Sequence, residues 1–411
     1  MTEEHISKSD SYNFCKEHGL KIRDKTKGAD GIPYDTRKGT WSDYDKAILE
    51  FGMFQDLWLT TERVELELEI LNPPGKRGPK YIYPPSVIEY LSMKMASSNR
   101  PYRAVIAEST VLMMFLGLPV PTYSTLHKSR SKFDGGFGIG VMNAATEILR
   151  QRHGDVVDPV MFLESDIGGT LTPPRTDDPV KQEELDRIST EMSASMNVKV
   201  SRCIAESEEP VRCALDGSGN KIEGPGVYME HVWNSRLRKF VKIHALVDVD
   251  TMELVSFAVT LESPGDSHML PPIVEASVEA GVELRALYAD TAYDSADNWM
   301  LMRSVSPETD FHPNLRVRFR DCEHIPERLA IQTAEDEMGK KINNRLSGYN
   351  DRWIVEAFFS VFKKLFGEGI RDRRFDRMVQ TIKYRCKVYS IRRGFILDAC
   401  GSSSERSTIN A

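Results

Sequence analysis

One late stretch, SGYNDRWIVEAFFSVFKKLFG from Ser347 to Gly367, combines residue types that handle phosphate and divalent metal. Tyr349, Arg352, Glu356 and Lys363 follow one another at intervals of three, four and seven residues, so on an α-helix they share one face. The opposite face carries Ile354, Phe358, Val361 and Leu365. The pattern predicts a helix with a buried apolar stripe and a polar stripe suited to a metal ion and a phosphate.

An ordinary surface helix can carry the same charges, so the spacing alone does not assign the chemistry. The order Tyr349, Arg352, Glu356, Lys363 at these gaps resembles the signature around the last acidic residue of the DDE transposases of insertion sequences. The run KKLFGEGIRDRRFDR, from Lys363 onward, is similar to the insertion-sequence-five type. This resemblance implies that Glu356 is catalytic and that Tyr349, Arg352 and Lys363 contact DNA through its phosphates.

Two earlier carboxylates follow apolar runs. In VRCALDGSGNKI the run ends at Asp216, before what reads as a glycine turn, and in LRALYADTAYDS an apolar strand ends at Asp290. These motifs resemble the first and second acidic motifs of the same family. The resemblance implies an RNase H-like sheet whose strand ends bring Asp216 and Asp290 side by side, with Glu356 crossing over them.

Three converging carboxylates match the chemistry of phosphodiester cleavage. The reaction needs a water that is nucleophilic near neutral pH and a leaving oxygen whose charge is compensated, and paired Mg²⁺ ions provide both. Hard cations prefer oxygen ligands. We therefore expect Asp216, Asp290 and Glu356 to hold two Mg²⁺ ions, for which Mn²⁺ can substitute.

Each of these carboxylates also has a structural interpretation. An Asp before Gly favours turns, and Asp290 or Asp294 can cap the helix that follows. Asp166, in FLESDIGGT, competes with Asp216 as the first acidic residue because it also follows an apolar run. Asp216 is preferred because GSGNKIEGPG and RLRKFVKIHALVDVDT match the family pattern better. His244, which alternates with apolar neighbours in the latter run, is expected to be structural.

Composition indicates a globular protein of two or three domains, with 411 residues, 40% hydrophobic and 28% charged. No apolar run approaches the roughly 18 to 20 residues of a membrane span, and MTEEHISKSD lacks the apolar region of a signal peptide. The six cysteines are scattered without a CxxC pair, so we expect reduced thiols rather than disulfides or a zinc site. These features predict a soluble cytoplasmic protein without membrane contact, and the resemblance implies that it associates with the nucleoid.

The expected fold class is α/β, an RNase H-like mixed sheet flanked by helices, with an N-terminal all-α DNA-binding region. The pattern predicts helices over Asp43–Leu59, Ser86–Ser97 and Pro101–Gly117. We divide the chain into a flexible polar arm (1–40), a helical DNA-binding region (41–150), an insertion of unclear role (151–210), an RNase H-like catalytic domain (211–395) and a disordered tail (396–411).

The N-terminal region has two basic segments. PPGKRGPKYIYPP cannot sustain a helix, and it places Lys76, Arg77 and Lys80 on an extended segment that can follow a DNA backbone. VPTYSTLHKSRSKF predicts a short basic helix carrying Lys128 and Arg130, compatible with a helix-turn-helix recognition element or with a plain surface helix. Both segments are similar to the N-terminal region of the same transposases, which implies contact with the element's ends.

The formal net charge of −7 argues against a uniformly basic surface. Residues 363–393 nevertheless contain eleven basic and three acidic side chains, a local charge of +8. We expect this run to form a cationic surface beside the catalytic helix, where it would bind phosphate.

The resemblance implies a transposase that hydrolyses DNA at the terminal inverted repeats of an insertion sequence and joins the 3′ hydroxyls to target DNA. Its partners would be double-stranded DNA and, because two ends must be held together, further copies of the chain. One alternative is a haloacid-dehalogenase-type metallophosphatase, suggested by Asp248-Val249-Asp250-Thr251, although its Thr comes one place early. The other is a catalytically inactive DNA-binding protein derived from a transposase.

Overall fold

The computed structural model describes residues 59–98, 100–133, 136–154, 156, 158–173, 175–207, 209–223, 240–261, 265–317 and 324–399. The predicted arm over 1–40 and all but the last residue of the predicted helix over Asp43–Leu59 lie outside these residues. The predicted tail begins at 396, but the last helix continues through Ala399, and only 400–411 fall outside the described residues.

The described strands form one mixed sheet in the order β1-β2-β5-β4-β3-β6-β7, with β8 paired to the far end of β3. They are β1 (Phe162–Gly168), β2 (Asn197–Ser201), β3 (Val211–Ile222), β4 (Phe240–Asp248), β5 (Leu254–Leu261), β6 (Leu284–Ala289), β7 (Asp310–Pro313) and β8 (Gly369–Ile370). Strands β3, β4 and β5 form an antiparallel meander, whereas β6 and β7 run parallel to β3 on its other side. The predicted RNase H-like mixed sheet is confirmed.

The centre of the sheet is apolar because helices cover both faces. All eight residues of β5 are buried, as expected for a strand enclosed on both sides. The turn between β4 and β5 contains the Asp-Val-Asp-Thr motif, and there Thr251 Oγ1 donates a hydrogen bond to Asp248 at 2.7 Å. The motif therefore closes an antiparallel hairpin, and the structure does not support the metallophosphatase alternative.

The predicted insertion extends the sheet. Strands β1 and β2 pair antiparallel with each other, and β2 adds to the edge of β5. Asp178 caps the intervening helix by accepting hydrogen bonds from the backbone of Val180 and Lys181. Asp166 lies on β1, four strands from β3 in the sheet order and so about 19 Å away.

Helices flank the sheet and build the N-terminal region. They are α1 (Thr61–Leu71), α2 (Pro85–Ser98), α3 (Tyr102–Glu108), α4 (Thr110–Phe115), α5 (Tyr123–Phe133), α6 (Gly136–His153), α7 (Pro179–Ala194), α8 (Arg202–Ala205), α9 (Leu270–Glu279), α10 (Ala296–Val305), α11 (Pro326–Met338), α12 (Lys340–Leu346), α13 (Trp353–Phe366) and α14 (Phe375–Ala399). The helix predicted over Ser86–Ser97 is confirmed as α2. The one predicted over Pro101–Gly117 is divided into α3 and α4 at Ser109.

The 25-residue helix α14 packs against α2 and β5, and so links the N-terminal helices to the sheet. Lys383 pairs with Glu164 of β1, and Lys387 pairs with Glu89 of α2. Arg385 is also buried and donates a hydrogen bond to a backbone carbonyl. The expected cationic surface over residues 363–393 is therefore wrong for these three side chains, because their charges are used inside the protein. No helix among the described residues is long and apolar enough to cross a membrane.

Candidate active site

Asp216 and Asp290 lie side by side on neighbouring strands. Leu215 of β3 pairs in parallel register with Ala289, the last residue of β6. Asp216 directly follows Leu215, and Asp290 directly follows Ala289. Asp290 follows the end of β6 as predicted, and its carboxylate accepts a hydrogen bond from Thr291 N at 2.5 Å. Asp290 therefore also caps the short 3-10 turn that follows it.

The prediction that Asp216 ends its strand is wrong. Strand β3 continues to Ile222, because β4 pairs with it from Cys213 to Lys221. On its other edge, pairing with β6 stops at Leu215 and pairing with β8 begins only at Lys221. Asp216 therefore lies at a break in the pairing, where one edge of β3 is left unpaired by the described strands.

The segment before α13 covers this break, but not as the helix predicted from the sequence. Gly348 adopts a positive φ of 79°, and a 3-10 turn follows over Tyr349–Arg352 before α13 begins at Trp353. Tyr349 is 9% exposed, and its hydroxyl donates a hydrogen bond to Ala289 O at 3.2 Å. The DNA contact of Tyr349 stays a prediction; in this structure the phenol is buried and holds the end of the strand that precedes Asp290.

Arg352 connects the first and last acidic residues. Its Nη1 lies 3.7 Å from Asp216 Oδ2, and its Nη2 lies 2.5 Å from Glu356 Oε1. The Glu356 side chain is 57% exposed and that of Asp216 is 26% exposed. One guanidinium group thus contacts two carboxylates from segments that are far apart along the chain.

Asp216 experiences the charges of two other carboxylates and of one arginine. Burial raises the pKa of Asp216 most, and the charges of Asp290 and Asp266 raise it further. The Gly217 N–H, which donates to Asp216 Oδ1 at 2.7 Å, and the charge of Arg352 lower the same pKa. A bound cation would relieve the repulsion between these carboxylates.

The donor set fits a hard divalent cation. Asp216 and Asp290 each use one carboxylate oxygen to accept a backbone hydrogen bond, and Asp290 has no ion pair with any described residue. Carboxylate oxygens are the ligands that Mg²⁺ prefers. Within the described residues, however, no three His, Cys, Asp or Glu side chains are gathered closely enough to hold one ion. Glu356 instead pairs with Arg352.

A polar cluster that the sequence did not predict as a unit lies on the opposite face of β3. Lys242 Nζ lies 2.5 Å from Asp266 Oδ1, and His244 Nδ1 lies 3.3 Å from the same oxygen. These contacts lower the pKa of Asp266 to about 2, with the His244 hydrogen bond as the largest cause. The cluster packs over Gly217, whose Cβ position would be only 2.6 Å from Asp266 Oδ1. Side chains alternate between the two faces of a strand, so the sequence of β4 could have predicted that Lys242 and His244 share one face.

His244 is fully buried, and its Nε2 lies 2.9 Å from Thr260 Oγ1. Its position agrees with the expected structural role. Tyr293, two residues beyond the acidic motif's Thr291, is also fully buried, and its hydroxyl has no hydrogen-bond partner within the described chain. The nearby charge of Asp266, together with those of Asp216 and Asp290, adds to burial in raising the pKa of Tyr293.

The remaining predicted contact residues are spread over the molecule. Lys363 lies on α13, seven residues and so about 10 Å along the axis from Glu356, with its Nζ 4.0 Å from Glu368. Lys128 is exposed on α5. Arg130 is fully buried and donates hydrogen bonds to Tyr102 Oη at 2.9 Å and to Thr381 Oγ1 at 3.0 Å. The DNA contact of Arg130 stays a prediction, and in this structure its guanidinium is used inside the protein.

The sheet order and the adjacent carboxylates define an RNase H-like domain with an acidic site. Residues 207–391 match the family model of the transposase DDE domain. The matched span includes Asp216, Asp290 and Glu356, and it begins just before β3. The transposase part of the resemblance seen in the sequence is thereby supported for this part of the chain.

Proposed function

We propose that the protein is a DNA transposase of the insertion-sequence-five type. It would bind the terminal inverted repeats of an insertion sequence, hydrolyse a phosphodiester bond at each end and join the exposed 3′ hydroxyls to target DNA. The match of residues 207–391 to the transposase DDE domain supports the class.

The observation that carries the proposal is the strand register that puts two of the carboxylates side by side. Asp216 on β3 and Asp290, directly after β6, follow paired residues, and Arg352 contacts both Asp216 and Glu356. Asp166 is less suited to be the first acidic residue because it lies at the far edge of the sheet. We therefore assign the catalytic role to Asp216, Asp290 and Glu356.

These three carboxylates would hold two Mg²⁺ ions, or Mn²⁺ in their place. When bound, the ions would supply a nucleophilic water near neutral pH and compensate charge on the leaving oxygen. Glu356 is the most exposed of the acidic residues in contact with Arg352, so its side chain is free to reorient toward a ligand. Tyr349 fixes the end of β6 through Ala289 O and thereby the position of Asp290.

Cations near the carboxylates would hold the DNA strand by its phosphates. Arg352 is partly exposed between Asp216 and Glu356, and Lys363 lies further along the same helix. Contacts to phosphates set the register of DNA without reading its bases. The N-terminal helices would bind the element's ends, and a homo-oligomer would hold two ends together in the cytoplasm at the nucleoid.

The test is divalent-metal-dependent cleavage of a DNA duplex that carries the terminal repeats flanking the gene. The parent is expected to nick the repeat end with Mg²⁺ or Mn²⁺. Asp216→Asn, Asp290→Asn and Glu356→Gln should each reduce cleavage to background while DNA binding is kept. If Asp290→Asn and Glu356→Gln cut as well as the parent, the catalytic assignment is wrong.

A catalytically inactive DNA-binding protein is the second candidate, because Glu356 pairs with Arg352 and no metal-binding group of three is gathered among the described residues. The same assay separates the two. Binding of the repeats by the parent, without cleavage under any divalent metal, would support the second candidate.

A further inference from the structure

The loop from Asn72 to Tyr81 and the exposed face of α5 carry cations that no carboxylate of the described chain neutralises. We infer that together they form a surface that binds the backbone phosphates of double-stranded DNA, with the Tyr81 ring at its centre. The choice of DNA as the partner rests on the proposed function. The site itself rests on the contacts described next.

The loop is held in a fixed shape. The Asn72 side chain donates to Tyr81 O at 2.9 Å and accepts from Tyr81 N at 2.7 Å, so it closes the loop at both ends. Lys76 Nζ donates to Leu71 O at 2.5 Å. These bonds fix the Tyr81 backbone, and its ring packs against Phe133 and Phe137, with ring centroids 6.0 and 6.2 Å apart.

Two lysines from different segments converge on this ring. Lys76 Nζ lies 4.1 Å from the Tyr81 ring centroid, and Lys132 Nζ of α5 lies 4.3 Å from it. Each ammonium is attracted by the ring, but the two ammonium groups repel each other. A hydrogen bond from Lys132 lowers the pKa of the Tyr81 phenol. An anion bound close to both lysines would offset this repulsion.

The surrounding cations have no carboxylate to neutralise them. Within the described chain, no ion pair involves Lys76, Arg77, Lys80, Lys128 or Lys132. Lys383 and Lys387 of α14, in contrast, are buried and paired with Glu164 and Glu89. The loop and α5 therefore carry five positive charges that no carboxylate of the described chain neutralises, which favours a polyanion.

The orientation of α5 decides which of its cations face outward. Arg130 points into the protein, where it reaches Tyr102 and Thr381, and its guanidinium lies 5.0 Å from the Tyr384 ring centroid. Lys128 and Lys132 are four residues apart on the other side of the helix, and both are exposed. The buried arginine thus fixes a two-lysine face beside the Tyr81 site.

The inference predicts a measurable effect on the salt dependence of DNA binding. Binding is measured with a short random-sequence DNA duplex, without divalent metal, in a Glu356→Gln background that cannot cut. The slope of log K against log salt is negative, and each lost phosphate contact reduces its magnitude by about 0.9. We expect Lys76→Gln and Lys132→Gln each to make the slope less negative by about 0.9, and Lys132→Arg to retain the parent slope.

Lys181→Gln is the matched control, because Lys181 is an exposed lysine on α7, in the part of the chain inserted before the catalytic core. It should leave the slope unchanged. An unchanged slope for both Lys76→Gln and Lys132→Gln, in proteins that keep the parent melting temperature, would overturn the inference. Cleavage by the parent is measured separately on DNA that carries the repeats. If the parent does not cleave this DNA but the two lysine substitutions still change the salt dependence as expected, the proposed transposition is wrong and the phosphate-binding site is supported.

Discussion

Arg352 has a double role at the residue scale, because its guanidinium contacts carboxylates on both sides. It lowers the pKa of Asp216 against the opposing effect of burial, so it favours the ionised form that a metal ion requires. It also holds Glu356 at 2.5 Å. Arginine suits this position because it is always charged and presents two donor groups in a fixed plane.

Gly217 is required because Asp266 approaches β3 at this residue. A Cβ at Gly217 would lie 2.6 Å from Asp266 Oδ1 and 3.1 Å from His244 Nδ1, so Gly217→Ala must displace either the Asp266 carboxylate or the strand that carries Asp216. Small displacements at a catalytic group can cost on the order of 100-fold in rate. We expect a loss of that order in DNA cleavage, measured under single-turnover conditions.

Gly219→Ala is the internal control for this substitution. Gly219 lies two residues further along the same face of β3, and its nearest contact would be Phe240 at an ordinary 3.5 Å. Cleavage by this variant should stay within a few-fold of the parent. Equal losses for the two variants would show that β3 tolerates no side chain on this face, and that Asp266 is not the cause.

At the scale of elements, apolar runs predicted the strands well but not their ends. The hairpin β4–β5 and the strand before Asp290 follow directly from alternating or continuous apolar residues. Strand β3 continues through the sequence DGSGNKI because pairing with β4 overrides the turn preference of Asp216 and its glycines. Such pairing between distant segments is not visible in local sequence.

The acidic helix shows the same limit. Ile354 and Phe358 are buried as predicted, but the polar residues Tyr349 and Arg352 lie on a 3-10 turn before α13. The turn is set by contacts with β6, where Tyr349 and Tyr288 donate hydrogen bonds across the junction. The residue types in the site were therefore predictable, whereas the geometry of Tyr349 depended on tertiary contacts.

Gly348 starts this turn and is expected to be intolerant of a side chain. Its φ is 79°, and a Cβ there would lie 2.6 Å from the Tyr288 hydroxyl. Gly348→Ala combines about 1–2 kcal/mol of backbone strain with loss of the hydrogen bond from Tyr288 to Ser347 O. The expected result is a lower free energy of unfolding and strongly reduced cleavage.

Gly117→Ala separates strain from the clash. Gly117 has a φ of 67°, and no heavy atom would lie within 4 Å of its Cβ. The free energy of unfolding of this variant should fall only by the cost of the backbone strain, and its cleavage activity should be kept. Urea unfolding and the cleavage assay measure the two effects, and equal stability losses for both variants would contradict the role given to Tyr288.

Glu67, at the contact of α1 with α2, is expected to make stability depend on pH. Burial raises its pKa from 4.5 to about 7, partly opposed by the Ser86 backbone donor and the Arg63 charge, while Glu89 raises it further. The folded state therefore binds this proton more tightly than the unfolded state. Stability should fall by about 3 kcal/mol as pH rises from about 4.5 to about 7, and then level off.

Glu67→Gln should remove this pH dependence, because the amide oxygen still accepts from Ser86 N but carries no charge. Free energies of unfolding are measured between pH 5 and pH 8 for the parent and the variant. Glu65→Gln, on an exposed position of the same helix, should follow the parent curve. A Glu67→Gln curve parallel to that of the parent would contradict the buried, proton-binding carboxylate.

At the scale of the whole molecule, charge was the least predictable property. The +8 run over 363–393 could belong to a DNA-binding surface or to an interface within the protein. The structure uses Lys383, Arg385 and Lys387 of this run internally, because α14 lies between the sheet and the N-terminal helices. Acidic partners on β1 and α2, which are distant in sequence, decide which cations remain available for DNA. Local composition cannot reveal these partners.

The pair Lys387–Glu89 is expected to couple the N-terminal helices to the catalytic sheet. Both side chains are almost fully buried, so removing one leaves an uncompensated charge in the interior. Lys387→Met should cost about 3–5 kcal/mol of unfolding free energy, and the double variant Glu89→Gln with Lys387→Met should recover most of it.

The exposed pair Arg187–Glu191 on α7 provides the comparison, and Arg187→Ala should cost less than about 1 kcal/mol. Urea unfolding of the full chain measures all three. If Lys387→Met is no more damaging than Arg187→Ala, the buried pair does not join the two regions.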